Sequence, residues 1–242
     1  MHTIDGIRDI RVYQKKEGYR FSVDALLLAA FPGLPRVRKI ADLGAGSGII
    51  GLLLARRYPE SKVTLLELQE GLSRMAARNI SLNNLDTQVQ VIQADIRNLP
   101  PEPGQGAYDL VVSNPPFRRP RTGLISQGTE KAIARHEIHL PLRDLLKAGS
   151  SLLKHHGRFC IIHLPERMAE ICHAMRELSL EPKRMRFVHS RVDSEAKMVL
   201  IEAIKGGRTG LKVEPPLILY TETGDYSPEI REMYACPQSE QN

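Results

Sequence analysis

The spacing of hydrophobic and polar positions changes period several times along the chain. Residues 8–14 and 19–22 flank Lys15-Lys16-Glu17-Gly18, a short polar connection ending in glycine, which predicts a hairpin. Asp24 leads into the apolar run ALLLAAF, residues 25–31, a short buried helix stopped by Pro32-Gly33. An alternation then begins. Strands are predicted over residues 37–43, 63–66, 89–92, 108–112 and 158–163, and helices over 49–57, 70–83, 139–154 and 166–178. Two more strands, 183–188 and 197–204, follow with no helix between them and are expected to be antiparallel neighbours.

Strands alternating with helices of this length form βαβ units, so the fold expected is α/β: a doubly wound, seven-stranded, mostly parallel sheet with the last two strands antiparallel. Residues 63–66 and 159–163 are nearly continuous apolar runs, as strands covered on both faces should be. No internal repeat or long linker breaks the pattern. One domain over residues 1–242 is expected, with an N-terminal hairpin over 1–22 and a C-terminal extension over 206–242. Such sheets bind ligands outside the carboxyl ends of their strands, near the switch in strand order. The residues just after each strand are therefore the ones to inspect for chemistry.

Composition narrows the classes. At 242 residues, 42% hydrophobic and 26% charged, the chain is ordinary globular protein and large enough to bury a core without disulfides. The longest apolar runs, 25–31 and 49–55, fall far short of the ~20 residues that span a bilayer, and the polar start is not a signal peptide. Cys160, Cys172 and Cys236 are widely spaced with no CxxC, which supports neither a disulfide framework nor a metal site. A cytoplasmic protein without membrane contact is expected. The net charge of +6 suits a polyanionic partner or simply a solubilising surface. With no Trp and 5% aromatic residues, a large base-stacking platform is not expected.

Four strand ends carry the candidate chemistry. After the first parallel strand comes Asp42-Leu43-Gly44-Ala45-Gly46-Ser47-Gly48, whose glycines allow a sharp bend and close approach of a ligand to the backbone. Residues 46–51 also match GxGxxG, and Glu67, roughly 20 residues on, is placed to bond ribose hydroxyls. These features suit a nicotinamide and an adenosyl cofactor equally. The third strand ends in Asp95-Ile96, an acid that could accept from an adenine amino group beside an apolar cover, or simply a turn-capping Asp. The fourth ends in Asn114-Pro115-Pro116-Phe117. Two prolines fix carbonyls without competing N–H groups, so the Asn114 oxygen and the Pro115 carbonyl can accept both hydrogens of a substrate –NH₂. Phe117 supplies a face for a planar group.

DLGAGSG, Glu67, ADI and NPPF in this order resemble a class I S-adenosylmethionine-dependent methyltransferase of the amino-methylating kind. FSVDALLLAAF, ARHE at residues 134–137 and the segment over 205–230 further resemble the bacterial tRNA adenine-N6 methyltransferases, which modify adenosine 37 beside the anticodon of a valine tRNA. The resemblance implies S-adenosylmethionine as cofactor and N6 of adenine in tRNA as methyl acceptor. It places Gly44, Gly46 and Gly48 against the methionine part, Asp42 near its ammonium, Glu67 on the ribose, and Asp95 and Ile96 on the adenine. Asp24 either faces the cofactor or caps its helix. Phe117 stands where many relatives have Tyr, which keeps the stacking face.

Arg118, Arg119 and Arg121 follow the Asn114 loop directly, where a basic cluster could hold phosphates flanking an extruded base, with Lys131, Arg135 and His136 in the same segment. A solvated loop is the plainer alternative. Lys15, Lys16, Arg20, Lys205, Arg208 and Lys212 are undecided in the same way. Competing readings of the same residues are a protein glutamine N5-methyltransferase, an rRNA amino-methyltransferase sharing the NPPF site, a nucleic-acid-binding protein without activity, against which the intact NPPF stands, and a nicotinamide oxidoreductase. The last leaves Asp95 and the NPPF loop without roles.

Overall fold

A computed structural model describes residues 2–15, 23–99, 104–116 and 141–235. Two antiparallel strands, β1 (His2–Ile7) and β2 (Ile10–Lys15), open the chain. A hairpin is present, but its turn is Arg8-Asp9, with Arg8 at φ 54° and Ile7 facing Ile10 across it. Residue 15 ends β2, and the rest of the expected turn at 15–18, with the expected strand over 19–22 and with Lys16 and Arg20, lies outside the described residues. Burial of Ile7, Ile10 and Val12 sets the register of the observed hairpin.

Helix α1 (Val23–Ala30) and helix α2 (Ile49–Arg57) pack on each other, and both are apolar almost all round because sheet and neighbours cover them on every side. Between them runs β3 (Lys39–Leu43). Then follow β4 (Lys62–Glu67), α3 (Glu70–Leu82), β5 (Val89–Gln93), β6 (Tyr108–Ser113), α4 (Leu142–Leu152), β7 (Leu153–His163) and α5 (Met168–Glu177). The hairpin β8 (Leu180–His189) and β9 (Ala196–Lys205) completes the main sheet, which runs β5-β4-β3-β6-β7-β9-β8. All these strands are parallel except β9, which is antiparallel to both β7 and β8. The succession of the last two strands had implied the second of these pairings.

β7 begins five residues before the strand expected over 158–163. Leu153 pairs with Tyr108 and Arg158 with Leu110, so the polar stretch 154–157, with His156 at φ 62°, bulges between two paired positions of one strand. Two short strands of the C-terminal extension, β10 (Lys212–Val213) and β11 (Leu217–Ile218), add to the free side of β8 and bring the sheet to nine strands rather than seven. Helix α6 (Pro228–Tyr234), capped by Ser227, then returns to α1. Arg186 on β8 clamps it through both oxygens of Glu229. Lys205 is a structural residue: its Nζ donates to the carbonyls of Ser150 and Leu153 at 2.7 and 2.8 Å.

The core lies in two layers. One holds the hairpin, α1, α2 and α6 on one face of the sheet; the other holds α4 and α5 on the opposite face. Met175 and Cys160 are buried, as packing residues should be. Away from the strand ends, Glu202 of β9 is buried and accepts from Arg158 (2.7 Å) and from the Gly33 N–H (3.1 Å). Arg184 stands 4.0 Å from the same carboxylate, lies 4.2 Å over the Phe31 ring and bonds the Phe31 carbonyl. This cluster fastens the turn after α1 to the sheet.

Candidate functional site

Chain order reverses between β3 and β6: β4 and β5 extend the sheet to one side of β3, and β6 and β7 to the other. The crevice expected at such a switch lies outside the carboxyl ends of these two strands. The glycine loop leaves one and the Asn114 loop leaves the other. Ile40, Ala41 and Asp42 pair with Leu110, Val111 and Val112, so the two loops emerge side by side. Ser113 locks them together, its buried hydroxyl donating to the Leu43 carbonyl at 2.8 Å.

Within the glycine loop, Gly44, Gly46 and Gly48 have φ of 70°, 58° and 86°, left-handed conformations that cost a side chain strain. Gly48 is doubly constrained, since a Cβ there would meet Leu65 Cδ1 at 2.9 Å. Gly44 and Ala45 both donate to the Leu66 carbonyl, which draws the loop across the end of β4. Glu67 is buried and structured rather than solvated: one oxygen accepts from Gly46 N at 2.9 Å and the other from Gln69 N at 2.8 Å. Each carboxylate oxygen retains a further lone pair for a ligand hydroxyl.

Asp42 is wholly buried below the loop. Its Oδ2 accepts from Gly51 N at 3.1 Å, while Oδ1 has no hydrogen-bond partner. Burial, opposed by the Gly51 bond and reinforced by the charge of Glu67, pushes its carboxyl up to about 7. An acceptor left unsatisfied beside a second carboxylate fits a ligand that brings positive charge to the loop.

The Ala94 N–H donates to the Glu67 carbonyl, which sets Asp95 and Ile96 beside Glu67. Asp95 caps the 3₁₀ turn Ile96–Asn98 by accepting from Arg97 N at 3.0 Å, and its carboxylate also holds the Arg97 guanidinium. The turn-capping alternative is thus realised, and any ligand contact must share this carboxylate. Ile96 is buried toward α4, whereas Leu68, directly after Glu67, is 43% exposed and offers the freer apolar surface. Asn114 and Pro115 are half-buried and Pro116 is exposed at the end of β6. Asp24 is half-buried in the first described turn of α1, where its charge is felt by the Tyr234 phenol. Phe117, Arg118, Arg119, Arg121, Lys131, Arg135 and His136 lie outside the described residues.

Three residues at this end of the sheet escaped sequence reasoning: Ser113, Asn79 and His163. A signal existed for Asn79, a polar residue in the apolar phase of α3 beside Ala76 and Ile80. His163 ends β7 beside the Asn114 loop, is buried, and accepts from Leu164 N through Nδ1 at 2.8 Å, which leaves its proton on Nε2. Burial, and then the Arg167 charge, push it down to about 4.

These two shifts act oppositely on stability. His163 titrates lower in the folded chain than in the unfolded one, so its contribution is complete above the ordinary histidine range and is lost as pH falls toward 4. Asp42 titrates higher when folded, so its contribution is complete below the ordinary carboxylate range and is lost as pH rises through about 7. Urea unfolding of wild type and His163→Asn isolates the histidine. The gap should move in favour of wild type by about 2–3 kcal/mol between about pH 4.5 and 6.5. A gap independent of pH would show that His163 is not held neutral by the fold.

Comparison with known proteins agrees with this geometry. The family model for the methyltransferase small domain matches residues 22–175, more than half of the chain. Similar proteins include one from Porphyromonas gingivalis, 30% identical over 87% of this chain and 85% of its own. Another, from Aeromonas hydrophila, is 31% identical over 86% and 85%. The chain belongs to the methyltransferase small domain family and, within it, to the group these relatives represent. Both relatives are named tRNA1(Val) (adenine(37)-N6)-methyltransferase. Among solved structures, a protein from Agrobacterium tumefaciens described as a predicted O-methyltransferase superposes with a TM-score of 0.69 at 25% identity, covering 88% of this chain and 98% of its own. The geranyl diphosphate C-methyltransferase of Streptomyces coelicolor, at 17% identity and a TM-score of 0.56, covers 75% of this chain and 78% of its own and shares the fold.

Among the described residues, no cluster of three or more His, Cys, Asp or Glu could hold a metal ion, and no helix is long and apolar enough to cross a membrane.

Proposed function

We propose that this chain methylates the exocyclic N6 amino group of adenine in tRNA, at adenosine 37 of the anticodon loop of a valine tRNA, with S-adenosylmethionine as methyl donor. The observation that carries the reading is the junction of two loops: Asn114-Pro115-Pro116 leaves β6 directly beside the glycine loop of β3, with Ser113 fastening the two. The relatives' names supply the substrate. When bound, the cofactor supplies an electrophilic methyl group on a sulfonium.

The protein's residues do the rest. Gly44, Gly46 and Gly48 bring the backbone against the methionine part, and the unsatisfied Asp42 oxygen faces the added positive charge. Glu67 holds the ribose, Asp95 accepts from the adenine amino group, and Leu68 and Ile96 flank the ring. The target nitrogen is a poor nucleophile because its lone pair is delocalised into the purine. The Asn114 oxygen and the Pro115 carbonyl accept its two hydrogens, moving the nitrogen toward a tetrahedral geometry and aiming the lone pair at the methyl. Fixed dipoles and positioning provide the acceleration. The amine loses its proton after transfer, so no general base is needed. Phe117 stacks on the target base, which must be extruded to enter, as an anticodon-loop base can be. Arg118, Arg119, Arg121, Lys131, Arg135 and His136 hold the flanking phosphates, and the reaction takes place in the cytoplasm, where tRNA is processed.

Incubation with labelled S-adenosylmethionine and tRNA from cells lacking this protein, followed by nucleoside mass spectrometry, should yield N6-methyladenosine in the valine anticodon loop. Label in a protein extract and none in RNA would overturn the reading in favour of a glutamine side-chain acceptor.

A further inference from the structure

The N-terminal hairpin docks on α3 in an unusual way. β2 pairs with β1 on one side, and its other edge meets two asparagines one helical turn apart. Asn83 accepts from Arg11 N at 2.8 Å and donates to the Arg11 carbonyl at 2.7 Å. Asn79 accepts from Tyr13 N at 2.7 Å and donates to the Tyr13 carbonyl at 3.1 Å. Two carboxamides thus act as a strand edge. The fit is geometric: four residues of helix rise about 6 Å and two residues of strand about 6.8 Å, so side chains at i and i+4 meet alternate peptides.

Asn79 makes a third bond, from its amide to the Ser47 carbonyl at 2.9 Å. Ser47 lies between Gly46 and Gly48, both left-handed, at the tip of the glycine loop. Glu67 holds this tip through the Gly46 N–H and Asn79 holds it through the next carbonyl. One fully buried side chain therefore bonds the hairpin and the cofactor loop at once.

We propose that Asn79 is a positioning residue that couples docking of the N-terminal hairpin to the conformation of the cofactor loop. The inference rests on the cofactor assignment above. When the hairpin leaves, the Asn79 side chain loses two of these three bonds, both to Tyr13, and its carboxamide is free to turn from Ser47. By reciprocity, a cofactor that stabilises the loop must also stabilise the docked hairpin.

The test uses the wild-type chain with S-adenosylhomocysteine as probe, binding being measured first by calorimetry. Saturation should slow hydrogen exchange at the Arg11 and Tyr13 amides by about 5-fold or more. Unchanged exchange with the probe demonstrably bound would overturn the coupling; no binding at all would overturn the cofactor assignment and the coupling with it. Two variants separate the bonds. Asn79→Ala should weaken probe binding about 5-fold or more and raise KM for the methyl donor with kcat little changed, whereas Asn83→Ala, which keeps the Ser47 bond, should stay within about twofold. Equal weakening by both would show that hairpin docking reaches the loop without the Asn79–Ser47 bond, and would overturn Asn79 as the coupling residue. If Asn79→Ala does not fold, the exchange experiment on wild type decides alone.

Discussion

Asn114→Ala should reduce methyl transfer by about 10²–10³-fold while leaving affinity for S-adenosylhomocysteine within about twofold. The asymmetry follows from placement. Asn114 stands just beyond the last paired residue of β6, whereas the groups assigned above to the cofactor's methionine, ribose and adenine lie at the carboxyl ends of β3, β4 and β5 and in the turns after them. Removing its carboxamide takes away one of the two acceptors that reshape the target amine, and the lone pair returns to the purine ring. The backbone is spared: Ser113 still bonds the Leu43 carbonyl, and two prolines still fix the loop. Single-turnover assays with radiolabelled donor, with calorimetry on the same preparation, separate the two effects. Transfer within tenfold of wild type would remove Asn114 from the reacting centre, and lost cofactor binding would move it into the cofactor site.

Glu202→Ala should destabilise the fold by about 3–5 kcal/mol, because it strands buried charges rather than merely losing a bond. Glu202 is 2% exposed on β9, and its carboxylate answers Arg158, the Gly33 N–H and, at 3.7 Å, the Cys160 thiol. Burial and this neighbouring charge push that thiol well above its usual range, so it stays a neutral donor. Without the carboxylate, Arg158 loses its counter-ion at 2.7 Å and Arg184 is left with the Glu214 carboxylate, at 3.3 Å. For a chain of this size the loss should lower the thermal midpoint by about 10 °C. Glu202→Gln, which retains an acceptor, should cost clearly less. Calorimetric unfolding checks both, and a shift below about 3 °C for the alanine variant would show that the ion cluster does not hold the fold.

The strand and helix order was legible because hydrophobic period, glycine and proline are local signals. Predicted strands and helices coincide with observed ones within a few residues from residue 39 to residue 205, except where the polar stretch 154–157 hid the start of β7. The candidate site's residues were legible for the same reason: DLGAGSG, Glu67, Asp95-Ile96 and Asn114-Pro115-Pro116 each lie at or just beyond a strand's carboxyl end. The turn at Arg8-Asp9 was not legible because it contains no glycine, and residues 8–14 read as one strand.

By itself, then, the sequence determined the α/β architecture, the loops that emerge at the switch in strand order and the residue types those loops carry. The tertiary structure decided how those residues are already engaged: Glu67 on Gly46, Asp95 on Arg97, Asn79 between Tyr13 and Ser47, Glu202 between Gly33 and Arg158. Most of these bonds join residues dozens to more than a hundred positions apart, and even Asp95 and Arg97 meet through the turn they form. A polar side chain in a strand or helix does not announce its partner; burial and the cost of an unsatisfied group select it only when distant elements have packed.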